Sequence, residues 1–158
     1  MVRLFSFFGL LVLSSCLLAA ELDDVAKILE RQTAPTGVVF EMVGGDAKSL
    51  NLALRRTEAY VNNLRKKFPK AKYVIVSHGI EQFSLLQQNE SDNPELHKRV
   101  ERLVKDESIP IHVCATFAEM SDVDPNGFIK SVQVANSGPA QIQEYTEQGY
   151  ILIEMEIH

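Results

Sequence analysis

The chain has 158 residues, which suits one folded domain, and its net charge is −5 at pH 7. This mildly acidic balance argues against binding to nucleic acid or to anionic lipid. Hydrophobic residues make up 46% of the chain and charged residues 23%, a composition that excludes a disordered or collagen-like protein.

The N-terminal segment has the pattern of a secretory signal. Arg3 is the one charged residue before Glu21, and between them lie an apolar run and then small or apolar residues. The apolar run over residues 4–13 is short for a membrane-spanning helix, which needs about 20 apolar residues. We therefore expect residues 1–20 to be a signal peptide and residues 21–158 to be one exported, periplasmic domain.

An alternative maturation would leave a lipid anchor. The sequence Leu13-Ser14-Ser15-Cys16 resembles a bacterial lipobox, in which Cys16 would be acylated. The residues that follow Cys16 are apolar, whereas a lipoprotein tether is usually polar, so cleavage after Ala20 is favoured. Contact with a membrane is expected only if Cys16 carries lipid.

Helix and strand patterns alternate along the rest of the chain. A helix is predicted over residues 21–32, and the β-branched and aromatic run at 38–43 predicts a buried strand. Gly44-Gly45 then turns the chain into a long helix that has Asp46 as its N-cap and Pro69 at its end. The remaining expected strands are 73–77, 109–114, 129–134 and 150–157, and the remaining expected helices cover 80–88, 115–120 and the segments that begin at Pro94 and Ser137.

This alternation predicts βαβ crossovers and a largely parallel sheet that is covered by helices on both faces. In such sheets, ligands collect at the carboxyl ends of the strands. Three segments are expected to meet there, namely Gly44-Gly45-Asp46, Ser77-His78-Gly79 and Cys114-Ala115-Thr116.

Cys114 is the strongest candidate for chemistry. It is the only thiol of the mature domain once Cys16 is removed or acylated, and an exported protein normally pairs its thiols. A single thiol indicates intermolecular pairing or a reactive cysteine. Between a strand end and a helix start, free N–H groups and the helix dipole would favour the thiolate, the species that attacks sulfur. The alternative is a small buried hydrophobic residue.

His78 is the second candidate, because it ends the strand that precedes the strand of Cys114. If the two strands are neighbours, the imidazole would stabilise the thiolate or accept the thiol proton. The alternative is that His78 makes a hydrogen bond to a loop carbonyl. These two residues, Cys114 and His78, form the predicted catalytic set.

The other histidines are weaker candidates. His112 lies two residues before Cys114, so both side chains would share one face of a regular strand. Two such ligands do not make a zinc site, and we interpret His112 as a core or sheet-surface residue. His97 lies on a charged helix and is expected to be solvated. His158 is the last residue, and its sequence context indicates no role.

Motifs that bind cofactors are weak or missing in the sequence. The segment at residues 44–49 faintly resembles a phosphate loop, but Ala47 stands where a Walker loop has a glycine before the lysine. The sequence has no Gly-x-Gly-x-x-Gly, Gly-x-Ser-x-Gly or His-Glu-x-x-His motif. Glu119 and Asp122 are interpreted as surface carboxylates. We expect no cofactor and no bound metal.

Several of these segments carry a family resemblance. Residues 109–116 resemble the cysteine-bearing strand of DsrE/DsrF-like proteins, which handle sulfur. An Asp-Pro-x-Gly turn, a Val-rich strand and residues 138–150 follow in the order typical of that family, and Val76-Ser77-His78-Gly79 resembles its second strand and turn. The resemblance covers residues 37–155.

The resemblance implies a three-layer α/β/α sandwich with a mainly parallel five-stranded sheet, often assembled into homo-oligomers. It implies that Cys114 carries persulfide sulfur and that His78 lies near the same edge. The export signal departs from the cytoplasmic sulfur-relay members, whose relay partners would be absent outside the cytoplasm.

Three functional hypotheses follow from the sequence. The leading one is a persulfide carrier or sulfurtransferase-like protein that takes sulfur from a donor protein or a small sulfane-sulfur compound and passes it to an acceptor. The second is a non-enzymatic module that binds a small ligand or a soft metal through Cys114 and a histidine. The third is an oligomeric structural protein.

Overall fold

A five-stranded sheet flanked by helices forms the protein in the computed structural model, which describes residues 12–157 and their side chains from residue 20 onward. The helices are α1 (Val12–Glu30), α2 (Ala47–Lys67), α3 (Pro94–Lys105), α4 (Ala115–Met120) and α5 (Gly138–Glu147). The strands are β1 (Gly37–Val43), β2 (Lys72–Ser77), β3 (Ile111–Cys114), β4 (Gln133–Ala135) and β5 (Tyr150–Glu156). Short 3-10 helices cover Ile80–Leu85, Gln87–Asn89 and Pro125–Gly127.

The sheet has the strand order β4-β3-β2-β1-β5, and each of its ladders is parallel. The chain therefore moves from β1 outward to β4 and then crosses back to place β5 on the free side of β1. The predicted α/β class, with a five-stranded parallel sheet in a three-layer α/β/α sandwich, is confirmed.

The two faces of the sheet are covered unequally. A large hydrophobic cluster joins α1, α2 and α3 to one face, on which Phe40 and Ile75 are fully buried. The opposite face carries a smaller cluster in which Val39, Val74 and Val76 pack against Ile142 of α5. Because side chains alternate along a strand, neighbouring residues of β1 and β2 belong to different clusters.

Local signals in the sequence set several element boundaries. Asp46 caps α2 as predicted, since its carboxylate accepts a hydrogen bond from the backbone N–H of Ser49 at 2.8 Å. Pro94 is the first residue of α3, where its missing N–H costs nothing. Gly149 follows α5 with a φ of +86°, a conformation that glycine adopts without strain, and leads the chain into β5.

Four element predictions differ from the structure. Helix α1 extends upstream to Val12, and the segment predicted as a helix over 80–88 forms two 3-10 turns. The third strand begins at Ile111 and not at residue 109, although the Pro110 carbonyl still accepts from the Ile75 N–H at 2.9 Å. The predicted strand 129–134 is reduced to Gln133–Ala135, because the Ile129 N–H instead bonds to the Leu85 carbonyl at 3.0 Å.

The predictions made for the expected signal peptide, the leader at residues 1–20, fall largely beyond what the structure describes. Arg3 and the side chain of Cys16 lie outside the described residues, while the backbone from Val12 onward is helical. Within residues 12–157, none of the helices is both long enough and apolar enough to cross a bilayer.

Candidate functional site

The carboxyl ends of β2 and β3 lie side by side, so the segments of His78 and Cys114 meet at one edge of the sheet. These strands pair in parallel, with Ser77 opposite Val113, and His78 and Cys114 are the next residue of each chain. Val76 and His78 are two residues apart in extended chain, as are His112 and Cys114, so the side chains of each pair point to the same face of the sheet. These side chains therefore face the α5 side of the sheet.

Cys114 ends β3 and is the N-cap residue of α4. Its Sγ accepts a hydrogen bond from the backbone N–H of Phe117 at 3.4 Å, so the sulfur lies at the start of that helix. The residue is 4% exposed, yet it belongs to neither hydrophobic cluster of the described residues. A buried sulfur that receives an N–H is an environment in which negative charge on the thiolate is partly compensated.

Gln82 fixes the backbone of Cys114 from the neighbouring segment. The Cys114 N–H donates to Gln82 Oε1 at 2.7 Å, and Gln82 Nε2 donates to the Cys114 carbonyl at 3.3 Å. Gln82 is fully buried, so these two bonds satisfy an amide that would otherwise be costly to bury. Next in sequence to Gln82, Phe83 stacks its ring on that of Phe117, with the ring centroids 5.6 Å apart.

His78 pairs with Glu41, a residue that the sequence reasoning missed. His78 Nε2 lies 2.6 Å from Glu41 Oε1, and the two side chains are 15% and 20% exposed. Glu41 interrupts the apolar run of β1, and a single carboxylate within a buried strand was the available signal. Among the side chains described from residue 20 onward, no hydrogen bond joins the His78 ring to the Cys114 sulfur.

A second buried carboxylate, that of Glu81, holds the turns at this edge. Glu81 is fully buried and accepts hydrogen bonds from the Ser77 hydroxyl at 2.7 Å, the Gly79 N–H at 3.0 Å and the Gly44 N–H at 2.7 Å. The first two predicted strand-end segments therefore meet at this carboxylate. Glu81 could not be recognised from the sequence, because it looks like an ordinary acidic residue after a turn.

The start of α5 covers the site on the face of the sheet that His78 and Cys114 share. A Cβ added to Gly138 would lie 2.3 Å from the Cβ of His78, so only glycine allows the helix to come this close. Ser137 caps α5 and accepts from the Ala140 N–H at 3.4 Å.

His112 lies on the same face as Cys114 and is buried, as the interpretation of a core residue predicted. Its Nε2 lies 2.9 Å from the hydroxyl of Tyr145 on α5. Burial lowers the pKa of His112, and the nearby Glu144 carboxylate opposes this shift. Burial raises the pKa of Tyr145. Both groups are therefore neutral at pH 7.

The prediction that His97 is solvated is wrong. His97 is 5% exposed, and its Nε2 bonds to the Ser84 carbonyl at 2.8 Å. It lies beside the apolar stripe of α3, where the 3-10 segment covers it, and the charged neighbours in sequence belong to the outer face. Glu119 and Asp122 are exposed as predicted, and His158 lies outside the described residues.

Among the side chains described from residue 20 onward, no three His, Cys, Asp or Glu are grouped closely enough to hold a metal ion. The glycines at 44 and 45 both have positive φ, which fits the predicted turn between β1 and α2.

Comparison with known proteins supports the architecture. No family model and no curated protein matches the chain. Among solved structures it is similar to MTH1491 of Methanobacterium thermoautotrophicum, a protein of unknown function, with 18% identity and a TM-score of 0.56. The match covers 74% of this chain and 96% of that one. At this identity, the likeness shows the fold alone.

Proposed function

We propose that the protein is a carrier of sulfane sulfur in which Cys114 accepts and releases one sulfur atom. The observation that carries the proposal is the position of the Cys114 sulfur, at the carboxyl edge of a parallel sheet with the Phe117 N–H directed at it. His78 directly follows the adjacent strand β2, and Glu41 orients its ring. The resemblance to DsrE/DsrF-like proteins supports the same assignment.

The proposed reaction is a pair of sulfur exchanges that needs no external oxidant or reductant. The Cys114 thiolate attacks the outer sulfur of a donor, and a new S–S bond forms on Cys114. The bond between that sulfur and its leaving group breaks, and the electron pair departs with the leaving thiolate or sulfite. An acceptor thiolate then attacks the outer sulfur of the Cys114 persulfide, and Cys114 leaves as the thiolate.

In this proposal, His78 transfers protons to and from the reacting groups, and Glu41 assists it. The imidazole takes the thiol proton before attack, or returns a proton to the leaving group, and the carboxylate fixes the orientation of the ring. The Phe117 N–H stabilises the anionic sulfur before and after transfer.

We infer that the protein acts after export, with donor and acceptor proteins or small sulfane-sulfur compounds as its partners. Assembly into a homo-oligomer follows from the family resemblance. An anchor through Cys16 would place the same chemistry at a membrane surface.

The test is the intact mass of the purified mature protein after incubation with thiosulfate, polysulfide or a persulfide donor. We expect a gain of one sulfur, about 32 Da, on the native protein and none on the variant Cys114→Ser. Blocking the thiol with iodoacetamide before incubation should also prevent the gain.

The rate of alkylation separates a buried, inert thiol from a reactive one. Cys114 should react with iodoacetamide in the native state, and the urea-unfolded chain gives the reference rate for a free thiol. The sulfur-carrier proposal fails if the native thiol neither gains sulfur nor alkylates. Stoichiometric metal that is lost in Cys114→Ser would instead favour a binding module.

A further inference from the structure

The carboxylate of Glu21 is buried where the predicted leader joins the domain. Glu21 is 1% exposed and accepts hydrogen bonds from Arg56 Nε and Nη2, each at 3.2 Å. It also accepts from the Tyr60 hydroxyl at 3.1 Å and the Glu156 N–H at 2.5 Å. One side chain of α1 is therefore tied to α2 and to the end of β5.

This network surrounds the Glu21 carboxylate with hydrogen-bond donors from α2 and from the end of β5. Arg56 compensates the carboxylate and also donates to the Glu156 carbonyl, so the cation is held from two sides. Burial, with the Glu21 charge beside it, raises the pKa of Tyr60 to about 12, and the hydroxyl remains a donor. Removing one partner of such a buried pair leaves the other uncompensated.

The neighbours of Glu21 between Ala20 and Lys27 lack comparable anchors. Ala20 is exposed, and the acidic side chains of Asp23 and Asp24 are 63% and 44% exposed and pair only with Lys27. Between Ala20 and Lys27, the buried polar anchor is therefore Glu21, the residue that follows the predicted cleavage bond.

The bond between Ala20 and Glu21 also lies inside a helix. Helix α1 runs from Val12 to Glu30 without interruption, so the peptide is hydrogen-bonded in the folded chain. Peptidases cut segments that open locally, and cleavage then follows the population of the open form. Docking of Glu21 opposes that opening on the carboxyl side of the bond.

We propose that the Ala20–Glu21 bond is the processing site of this chain and that docking of Glu21 closes it. Hydrolysis adds one water, leaves a carboxylate on Ala20 and an ammonium on Glu21, and needs no other reactant. Processing must therefore precede the docking of α1, and the mature chain keeps Glu21 as its first residue. This inference is independent of the proposed sulfur chemistry.

The test compares unprocessed full-length chains that are folded and then given a bacterial signal peptidase in detergent micelles. Glu21→Gln and Arg56→Gln should be cleaved roughly ten-fold faster than the wild type, because each breaks the buried pair. Arg56→Gln leaves the cleavage sequence unchanged, and Asp24→Asn, on the same helix, should be cleaved at the wild-type rate. Short peptides that span the bond, with Glu or Gln after Ala20, correct for the preference of the peptidase.

The mass of the mature protein from an exporting host provides the second readout. We expect the mass of a chain that begins at Glu21. A different N-terminus, including a lipidated Cys16, overturns the proposal. So does a folded wild-type chain that is cleaved as fast as Arg56→Gln.

Discussion

Single polar side chains at the site are positioned by groups that are distant in sequence. Glu41 meets His78 from another strand, and Gln82 holds the backbone of Cys114. The sequence predicted Cys114 and His78, since a strand-end cysteine and histidine are recognisable one at a time. Glu41 and Gln82 could not be predicted, because their roles depend on which strands are neighbours and on the path of a 3-10 segment.

The pairing of Glu41 with His78 can be tested by Glu41→Gln. The amide keeps the shape of the side chain but removes the charge that fixes the imidazole, so we expect sulfur loading of Cys114 to slow by roughly ten-fold. The measurement is the rate of mass gain at neutral pH. Glu154→Gln is the matched control, because Glu154 lies opposite Glu41 on β5 and is exposed. Equal rates in the two variants would contradict a positioning role for Glu41.

Burial of His112 predicts a loss of stability in mild acid. Burial lowers the pKa of His112 in the folded protein, whereas the unfolded chain has an ordinary imidazole with a pKa of about 6.5. Below about pH 6.5 the unfolded chain binds more protons than the folded protein does. The free energy of unfolding therefore decreases as the pH is lowered, until the pKa of His112 in the folded protein is reached. Urea unfolding at several pH values between 7.5 and 5 measures this slope. His112→Gln should show a shallower slope, and an unchanged slope would rule out His112 as its source.

Helix α5 shows how one element shapes the site. It is the helix that packs on the smaller hydrophobic cluster, and it reaches His78 only because residue 138 has no Cβ. The sequence predicted the existence of most elements, since apolar residues recur at helical spacing along α2 and the strands β1 and β2 are runs rich in β-branched residues. It overestimated β4, where Ile129 and Val132 are apolar because they pack against the core outside any strand.

The close approach of α5 can be tested by Gly138→Ala. The added methyl would lie 2.3 Å from the His78 Cβ, so the helix or the strand end must move. We expect a loss of about 1–3 kcal/mol in the free energy of unfolding, measured by urea titration. Gly127→Ala is the control, because its added Cβ would meet the flexible end of Leu86 at 3.3 Å. A Gly138→Ala protein as stable as the control would show that α5 has room to adjust.

At the scale of the whole molecule, the strand order decides which residues can cooperate. A parallel sheet was predictable from the alternation of strands and helices, but the order β4-β3-β2-β1-β5 was not. That order depends on where the last crossover lands, which local patterns do not encode. It places Glu41 on β1, His78 just after β2 and Cys114 at the end of β3, on the face of the sheet against which α5 packs.

The same order predicts a gradient of hydrogen exchange. Strands β1 and β2 have neighbours on both sides and fully buried residues on both faces, so their amides should exchange only on global unfolding. The three-residue edge strand β4 should exchange fastest of the five strands. Mass spectrometry of the exchanged, protease-digested protein checks this. Equal protection of β4 and β1 would argue against the position of β4 at an edge.

The side-chain amide of Gln82 makes the position of Cys114 sensitive to deamidation. It both receives the Cys114 N–H and donates to the Cys114 carbonyl, a combination that no carboxylate can reproduce. Deamidation to glutamate would leave two oxygens facing each other with no proton between them. A slow hydrolysis of one side-chain amide would therefore release the strand end that presents the thiol, with no change at the cysteine itself.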